Sequence, residues 1–83
     1  MYARVTSRRA RRHELEELGR DFRCALVPAL RREQGFSGVL CLVDDSTVLT
    51  FIFWETEEDA LRPRAAEGAD ASPPEVWEVC GRG

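Results

Sequence analysis

Phe36-Ser-Gly-Val-Leu-Cys-Leu-Val-Asp-Asp-Ser-Thr-Val-Leu-Thr-Phe-Ile-Phe-Trp54 predicts two β-strands joined by a short polar turn, and this hairpin decides the fold. Side chains alternate between the two faces of a strand. In the second arm, one face carries Leu49, Phe51 and Phe53, and the other carries Val48, Ile52 and Trp54. In the first arm, Phe36, Leu40 and Leu42 oppose Val39, Cys41 and Val43. Both faces of the hairpin are therefore apolar.

A hairpin with one face in water alternates apolar with polar residues, so this hairpin needs cover on both sides. The chain contains too little helix to cover both faces. A second copy of the chain is the simplest cover. The pattern therefore predicts a homodimer, with interface residues Leu49, Phe51, Phe53 and Trp77.

The length of 83 residues leaves room for one domain, which we expect to span residues 1–83. A domain of this size buries only about two thirds of its unfolded surface, so association would stabilise it. No apolar run approaches the roughly 20 residues of a membrane helix. The amino-terminal residues also lack the apolar core of a secretory signal. We expect a soluble cytoplasmic protein that does not bind membranes.

Few residues are suited to metal or disulfide chemistry. Cys24, Cys41 and Cys80 are an odd number without metal-ligand spacing, which favours free thiols. His13 is the only histidine, so a metal would find few ligands. We expect neither a metal nor another cofactor. His13 has a side chain suited to general-base catalysis at a pocket mouth, but a solvated surface position is the simpler interpretation.

Charge is distributed unevenly along the chain. Residues 1–34 contain nine Arg and five acidic residues, a net charge of +4, whereas residues 35–83 contain three Arg and ten acidic residues, a net charge of −7. Four arginines lie close together before the first helix: Arg8, Arg9, Arg11 and Arg12. Such a cluster could attract an anionic substrate or a nucleic acid. Because no aromatic residue is interleaved with it, a solvated loop is favoured, and we expect no nucleic-acid partner.

Two helices and two further strands complete the predicted elements. Residues 2–6 predict a first strand, followed by a polar connection over residues 7–12. Apolar residues at three- and four-residue spacing predict a helix over residues 13–34, which Pro28 should kink and Gly35 should end. A capping motif at Thr56 begins a second helix, which Pro63 interrupts and Gly68 ends. A loop over residues 69–74 precedes a last strand over residues 75–80.

This order of elements predicts the fold class. Strand, helix, strand, strand, helix, strand is the ferredoxin-like βαββαβ arrangement, an α+β fold. Its two crossovers place both helices on one face of a four-stranded antiparallel sheet. The other face stays open in a single subunit. Two open faces packed together would form a dimeric α+β barrel.

Several motifs resemble those of the antibiotic-biosynthesis-monooxygenase (ABM) domain family, which belongs to the dimeric α+β barrel superfamily. They span most of the chain: Met-Tyr-Ala-Arg-Val-Thr6, Val-Pro-Ala-Leu30, Gly-Phe-Ser-Gly38, Leu-Val-Asp44, Phe-Trp-Glu-Thr-Glu-Glu-Asp59 and Pro-Pro-Glu-Val-Trp-Glu-Val79. The Gly-Phe-x-Gly and Trp-Glu-Thr motifs are typical of this fold, but they do not specify an activity.

The resemblance implies a cavity between the sheet and the helices, with Trp54 beside it and Thr50, Tyr2 and Arg4 as further pocket residues. The family includes cofactor-independent oxygenases of aromatic polyketides, haem-degrading enzymes and members with no known reaction. The polyketide oxygenases place an Asn where this chain has Thr50. The haem degraders use an Asn from the first strand and a His from the second helix, which this chain lacks. We therefore assign no catalytic residue.

The sequence is compatible with two functions. The first is a cofactor-independent monooxygenase that acts on a small aromatic or polyketide-like molecule. The alternative is a non-catalytic dimeric module that binds a small molecule or stabilises a partner. Trp54 suits either function, because it could orient an aromatic ligand or fill the core. RNA-recognition modules share the topology and stack bases on aromatic residues, but the residues before Phe51 and Phe53 lack the required basic-Gly-aromatic lead.

Overall fold

The computed structural model describes residues 1–62 and 74–81. Within this part of the chain lie the strands β1 (Tyr2–Arg9), β2 (Phe36–Val43), β3 (Thr47–Trp54) and β4 (Glu75–Glu78). A long helix, α1, spans residues 12–31 between β1 and β2. A short helix, α2 (Glu57–Leu61), follows β3. The predicted order of strands and helices is confirmed.

The four strands form one antiparallel sheet in the order β2-β3-β1-β4. The central pair, β1 and β3, runs in unbroken register from Tyr2 opposite Trp54 to Arg9 opposite Thr47. Leu30 of α1 and Ala60 of α2 pack on Ile52 and Trp54, so both helices lie on the same side of the sheet. The α+β, ferredoxin-like fold predicted from the sequence is therefore confirmed.

Strand β1 is longer than the sequence predicts. Residues 7–9 were expected in a polar connection, but they pair with Leu49, Val48 and Thr47 of β3. Ser and Arg have low strand propensity, yet such propensities depend on the neighbouring strand. Here the apolar β3 offers eight consecutive pairing positions, and β1 uses all of them. Because β1 extends to Arg9, Arg8 and Arg9 lie on opposite faces of the sheet.

Helix α1 contains the disturbance expected at Pro28. It consists of a 3₁₀ turn (Arg12–Glu14), an α-helical segment (Leu15–Asp21), a π-helical segment (Phe22–Leu26) and a last α-helical segment (Val27–Arg31). Proline has no backbone N–H and clashes with the carbonyl four residues earlier. The wider π turn, in which the Val27 N–H donates to the Phe22 carbonyl, accommodates Pro28 without ending the helix.

Gly35 turns the chain from α1 into β2, as predicted. Its φ is +85°, a left-handed conformation that favours glycine. A Cβ at this position would collide with the carboxylate of Asp59, which belongs to α2. The Gly35 carbonyl also accepts a hydrogen bond of 2.8 Å from the Glu55 N–H. Gly35 thus joins the end of α1 to the start of α2.

Helix α2 begins at the predicted capping motif. The Asp59 N–H donates to the Thr56 hydroxyl at 3.1 Å, and that hydroxyl donates to the Asp59 carboxylate at 2.9 Å. Leu61 is its last residue, and Arg62 is extended, as expected for a residue next to proline. The predicted end at Gly68 and the loop before Pro74 lie outside the described residues. No helix in residues 1–62 or 74–81 is long and apolar enough to cross a membrane.

The two faces of the hairpin follow the predicted alternation with one exception. Phe36 was expected to share a face with Leu40 and Leu42. A β-bulge between Phe36 and Gly38 shifts the register, so that Phe36 lies opposite Trp54 while Gly38 lies opposite Phe53. An extra residue in one strand moves the residues beyond it to the other face. Phe36 therefore joins the core beneath the helices.

We predict that Gly35→Ala lowers the free energy of unfolding by about 1–3 kcal/mol, because alanine must adopt a left-handed conformation against Asp59. Urea denaturation at a fixed protein concentration measures this change. Gly19→Ala is the matched control. Gly19 lies within α1, where an added Cβ makes an ordinary contact of 3.4 Å with Arg23, so it should raise stability by about 0.5–1 kcal/mol. Equal stability of the two variants would contradict this account of Gly35.

Candidate functional site

The face of the sheet beneath the helices has an apolar end and a polar end. The apolar end contains Trp54, Ile52, Leu30 and Ala60, all of which are at most 1% exposed. The Phe36 ring meets the Trp54 indole edge to face, with ring centroids 5.9 Å apart. Such an aromatic pair adds to the stabilisation from burial. This end is a closed core among the described residues.

Arg4 is buried beside this core and binds α2. Arg4 is only 5% exposed, and its Nη1 donates a hydrogen bond of 2.8 Å to the Ala60 carbonyl. The last carbonyls of a helix have no partner within the helix, and a cation there complements the helix dipole. Arg4 therefore caps α2 and fixes it over the sheet.

A row of polar side chains crosses the same face closer to the β2–β3 turn. Thr6 of β1 lies opposite Thr50 of β3, which lies opposite Cys41 of β2. All three residues are half-buried. We call Thr6, Thr50 and Cys41 the polar row. It supplies two hydroxyls and a thiol on the helix-covered face, where hydrogen-bonding groups could fix the orientation of a bound molecule.

Arg8 follows Thr6 as the next residue of β1 on the same face of the sheet. It pairs with the buried Val48, so its side chain lies on the helix-covered face, and it is half-buried itself. The Arg8 Nε atom is buried and has no hydrogen-bond partner among the described residues. The arginine cluster is thus divided, because Arg9, Arg11 and Arg12 are exposed.

The residues predicted for the pocket lie on one face of the sheet. Tyr2 lies opposite Trp54, Arg4 opposite Ile52, and Thr50 is two residues from Ile52 on the same strand. Trp54 is fully buried in the core and Arg4 is bonded to α2, whereas Tyr2 and Thr50 are half-buried. A role for these four residues in ligand binding stays a prediction.

The sequence did not reveal Thr6, Cys41 and Arg8 as neighbours of Thr50. Strand alternation could have revealed them: once β1 extends to Arg9, Arg4, Thr6 and Arg8 lie on the same face of the sheet. His13 is exposed at the start of α1. Cys24, Cys41 and Cys80 are free thiols. In residues 1–62 and 74–81, no three His, Cys, Asp or Glu side chains converge on a common point.

The opposite face of the sheet carries an apolar patch that no other element of residues 1–62 and 74–81 covers. Its residues come from all four strands: Ala3, Val5, Leu40, Leu42, Leu49, Phe51, Phe53 and Trp77. We call this set the open face. Leu40 and Leu42 on one edge strand are 48% and 47% exposed, and Trp77 on the other edge strand is 61% exposed, which is unusual for large apolar residues on one face of a sheet. The four predicted interface residues all belong to it.

Comparison with known proteins identifies the fold. No protein-family model matches the chain, and no curated protein matches it by sequence. A solved structure does match: a monooxygenase from the gene ActVA-Orf6 of Streptomyces coelicolor, in complex with the ligand nanaomycin D. The alignment has a TM-score of 0.64 and 18% sequence identity, and it covers 99% of this chain and 88% of that chain.

The fold and the comparison together define the class. That neighbour is an ABM-domain protein, so the ABM-like fold predicted from the sequence motifs is confirmed. At 18% identity the likeness extends to the fold alone.

Proposed function

We propose that this chain is a cytoplasmic, cofactor-independent monooxygenase that acts on a small aromatic or polyketide-like molecule. The observation that carries the proposal is the match over nearly the whole chain to a monooxygenase solved with nanaomycin D. Fold alone does not specify function, so the site must also be suitable. The helix-covered face offers polar groups next to an aromatic core, and aromatic ligands bind in such surroundings.

The ligand would bind over the polar row, between the sheet and α1. Three large residues of the α1 apolar stripe, Leu15, Leu18 and Phe22, are only half-buried. They could cover an apolar ring without exposing the core. Thr50 would donate or accept a hydrogen bond at the ligand. Tyr2 would form the apolar end of the pocket, with the buried Trp54 packed behind it. Arg4 would hold α2 as the rear wall.

The substrate itself would supply the electrons. A phenol with a free ring carbon opposite its hydroxyl loses a proton, and the carbanion character of that carbon lets it form a bond to dioxygen. The peroxide loses water to give a quinone. One oxygen atom stays in the product and the other leaves as water, so one dioxygen is reduced for each phenol oxidised to quinone. The protein would position the ring and favour its ionised form.

The second copy would close the open face of each subunit. A face this apolar in a chain of 83 residues gains stability when water is removed from it, at about 25 cal/mol per Å² of apolar surface. A homodimer would bury Leu49, Phe51, Phe53 and Trp77 together. Phe51 and Phe53 would then be unavailable to stack on bases, which is why we propose no nucleic-acid partner.

A non-catalytic binding module is the second candidate, and one observation favours it. On the described strands, the ionisable side chains of the helix-covered face are Tyr2, Arg4, Arg8, Cys41 and Glu78. Glu78 is exposed at the sheet edge. None of these is a histidine or a buried carboxylate, the usual general bases. The same face could therefore bind a small molecule without reacting with it.

We expect oxygen uptake on a panel of phenols and naphthols whose ring carbon opposite the hydroxyl is unsubstituted, without added metal or flavin and in the presence of a chelator. One dioxygen should be consumed for each quinone formed. Thr50→Val should lower kcat/KM roughly three- to tenfold, the effect of one lost hydrogen bond. Thr47→Val is the control, because Thr47 is on the same strand but on the opposite face. Ligand binding without uptake would favour the binding module, and equal effects of both variants would remove Thr50 from the site.

We also expect the urea midpoint of the wild-type chain to rise with protein concentration, because a dimer dissociates as it unfolds. Leu42→Asp should abolish this dependence by placing a charge in the buried interface. Leu61→Asp is matched to it, since Leu61 on α2 is 55% exposed and Leu42 is 47% exposed. A midpoint that does not change with concentration in the wild type would contradict the dimer.

A further inference from the structure

Arg8 has an environment that differs from that of every other arginine in its cluster. Its partner in the sheet, Val48, is 5% exposed, and the two side chains share the helix-covered face. Arg9, the next residue, pairs with Thr47 on the opposite face and is exposed. Arg8 and Arg9 therefore place the same charged group on opposite faces of the sheet, so Arg9 can serve as the control for Arg8.

The Arg8 guanidinium has hydrogen-bonding capacity that the described residues do not use. Its Nε is buried without a hydrogen-bond partner in residues 1–62 and 74–81. Buried donors are almost always bonded, so a buried Nε–H without a partner is an unused donor. Within the same residues Arg8 also forms no ion pair. An anionic oxygen would satisfy the Nε–H and neutralise the charge together.

The surroundings of Arg8 are suited to such an oxygen. Thr6 is two residues earlier on the same strand and face, and Thr50 is its partner across the sheet. Both hydroxyls belong to the polar row and could donate to the same oxygen. Val48 of β3 lies beside Arg8, and Val43 of β2 lies on the far side of Val48 on the same face. These two valines give the site an apolar border suitable for a ring.

We propose that Arg8 binds an anionic oxygen carried by an aromatic ring, either an ionised phenol or a carboxylate. The proposal rests on the proposed function, because it places the ligand in the same pocket, and it narrows the substrate class to ionised aromatic compounds. A guanidinium beside a phenol favours the ionised form and lowers its pKa. Arg8 thereby offers a route to the phenolate that does not require a general base. Arg8 is a binding and specificity residue in this scheme.

Isothermal titration with 2-naphthoate and its neutral analogue 2-naphthamide tests the carboxylate form. The wild type should bind the carboxylate about tenfold to a hundredfold more tightly, the range for one charge-assisted hydrogen bond. Arg8→Gln should remove this preference and leave naphthamide binding nearly unchanged. Arg9→Gln, which removes the same charge from the opposite face, should retain it.

The phenolate form is tested with 4-nitro-1-naphthol, whose visible absorbance reports its ionised form. The wild type and Arg9→Gln should raise the ionised fraction at a fixed pH, and Arg8→Gln should not. Should Arg8→Gln fail to fold, Arg8→Lys serves instead, because lysine keeps the charge but lacks the Nε–H and fork geometry. In Arg8→Lys, the preference for the ionised ligand should be smaller than in the wild type but still measurable.

The wild type alone can overturn the proposal, by binding naphthamide as tightly as naphthoate. Equal losses in Arg8→Gln and Arg9→Gln would also overturn it, because they would indicate general electrostatic attraction. These binding measurements are independent of turnover. A charge preference that depends on Arg8 without oxygen uptake supports this inference and contradicts the monooxygenase. Oxygen uptake that is as fast in Arg8→Gln as in the wild type supports the monooxygenase and contradicts this inference.

Discussion

The structure depends on a single strand that is apolar on both of its faces. One face of β3 contributes Ile52 and Trp54 to the core beneath the helices, and the other contributes Leu49, Phe51 and Phe53 to the open face. The hydrophobic effect is proportional to the apolar area removed from water, so each face favours burial. The helices α1 and α2 cover the first face and remove it from water. No element of the described part of the chain covers the second face, and the proposed dimer follows from this constraint.

Much of the fold was predictable because its local signals agree with one another. The alternation in β2 and β3, the left-handed Gly35 and the Thr56 cap each specify a local conformation that the tertiary structure uses. The errors arose where neighbouring structure decides the outcome. Residues 7–9 became strand because β3 offers them partners, and Phe36 changed face because of one inserted residue in the bulge. Neither effect is local to the residues that change.

The site was less predictable than the fold, because alternation gives the face of a side chain but not its contacts. It placed Val48, Ile52 and Trp54 on one side correctly. It could not show that Arg4 bonds the Ala60 carbonyl, since the two residues are 56 positions apart. It also could not distinguish Arg8 from Arg9 while both were assigned to a loop. A hydrogen-bond partner and a degree of burial depend on the packing of α1 and α2, which the sequence pattern does not specify.

The mass of the intact chain in solution tests the central claim most directly. Sedimentation equilibrium of the wild-type protein at micromolar concentration should give twice the mass of one chain, because the open face is buried between two copies. A stable, fully folded species with the mass of a single chain at that concentration would contradict it. In that case the open face would be exposed in the native protein, and the proposed closure of two sheets would have no basis.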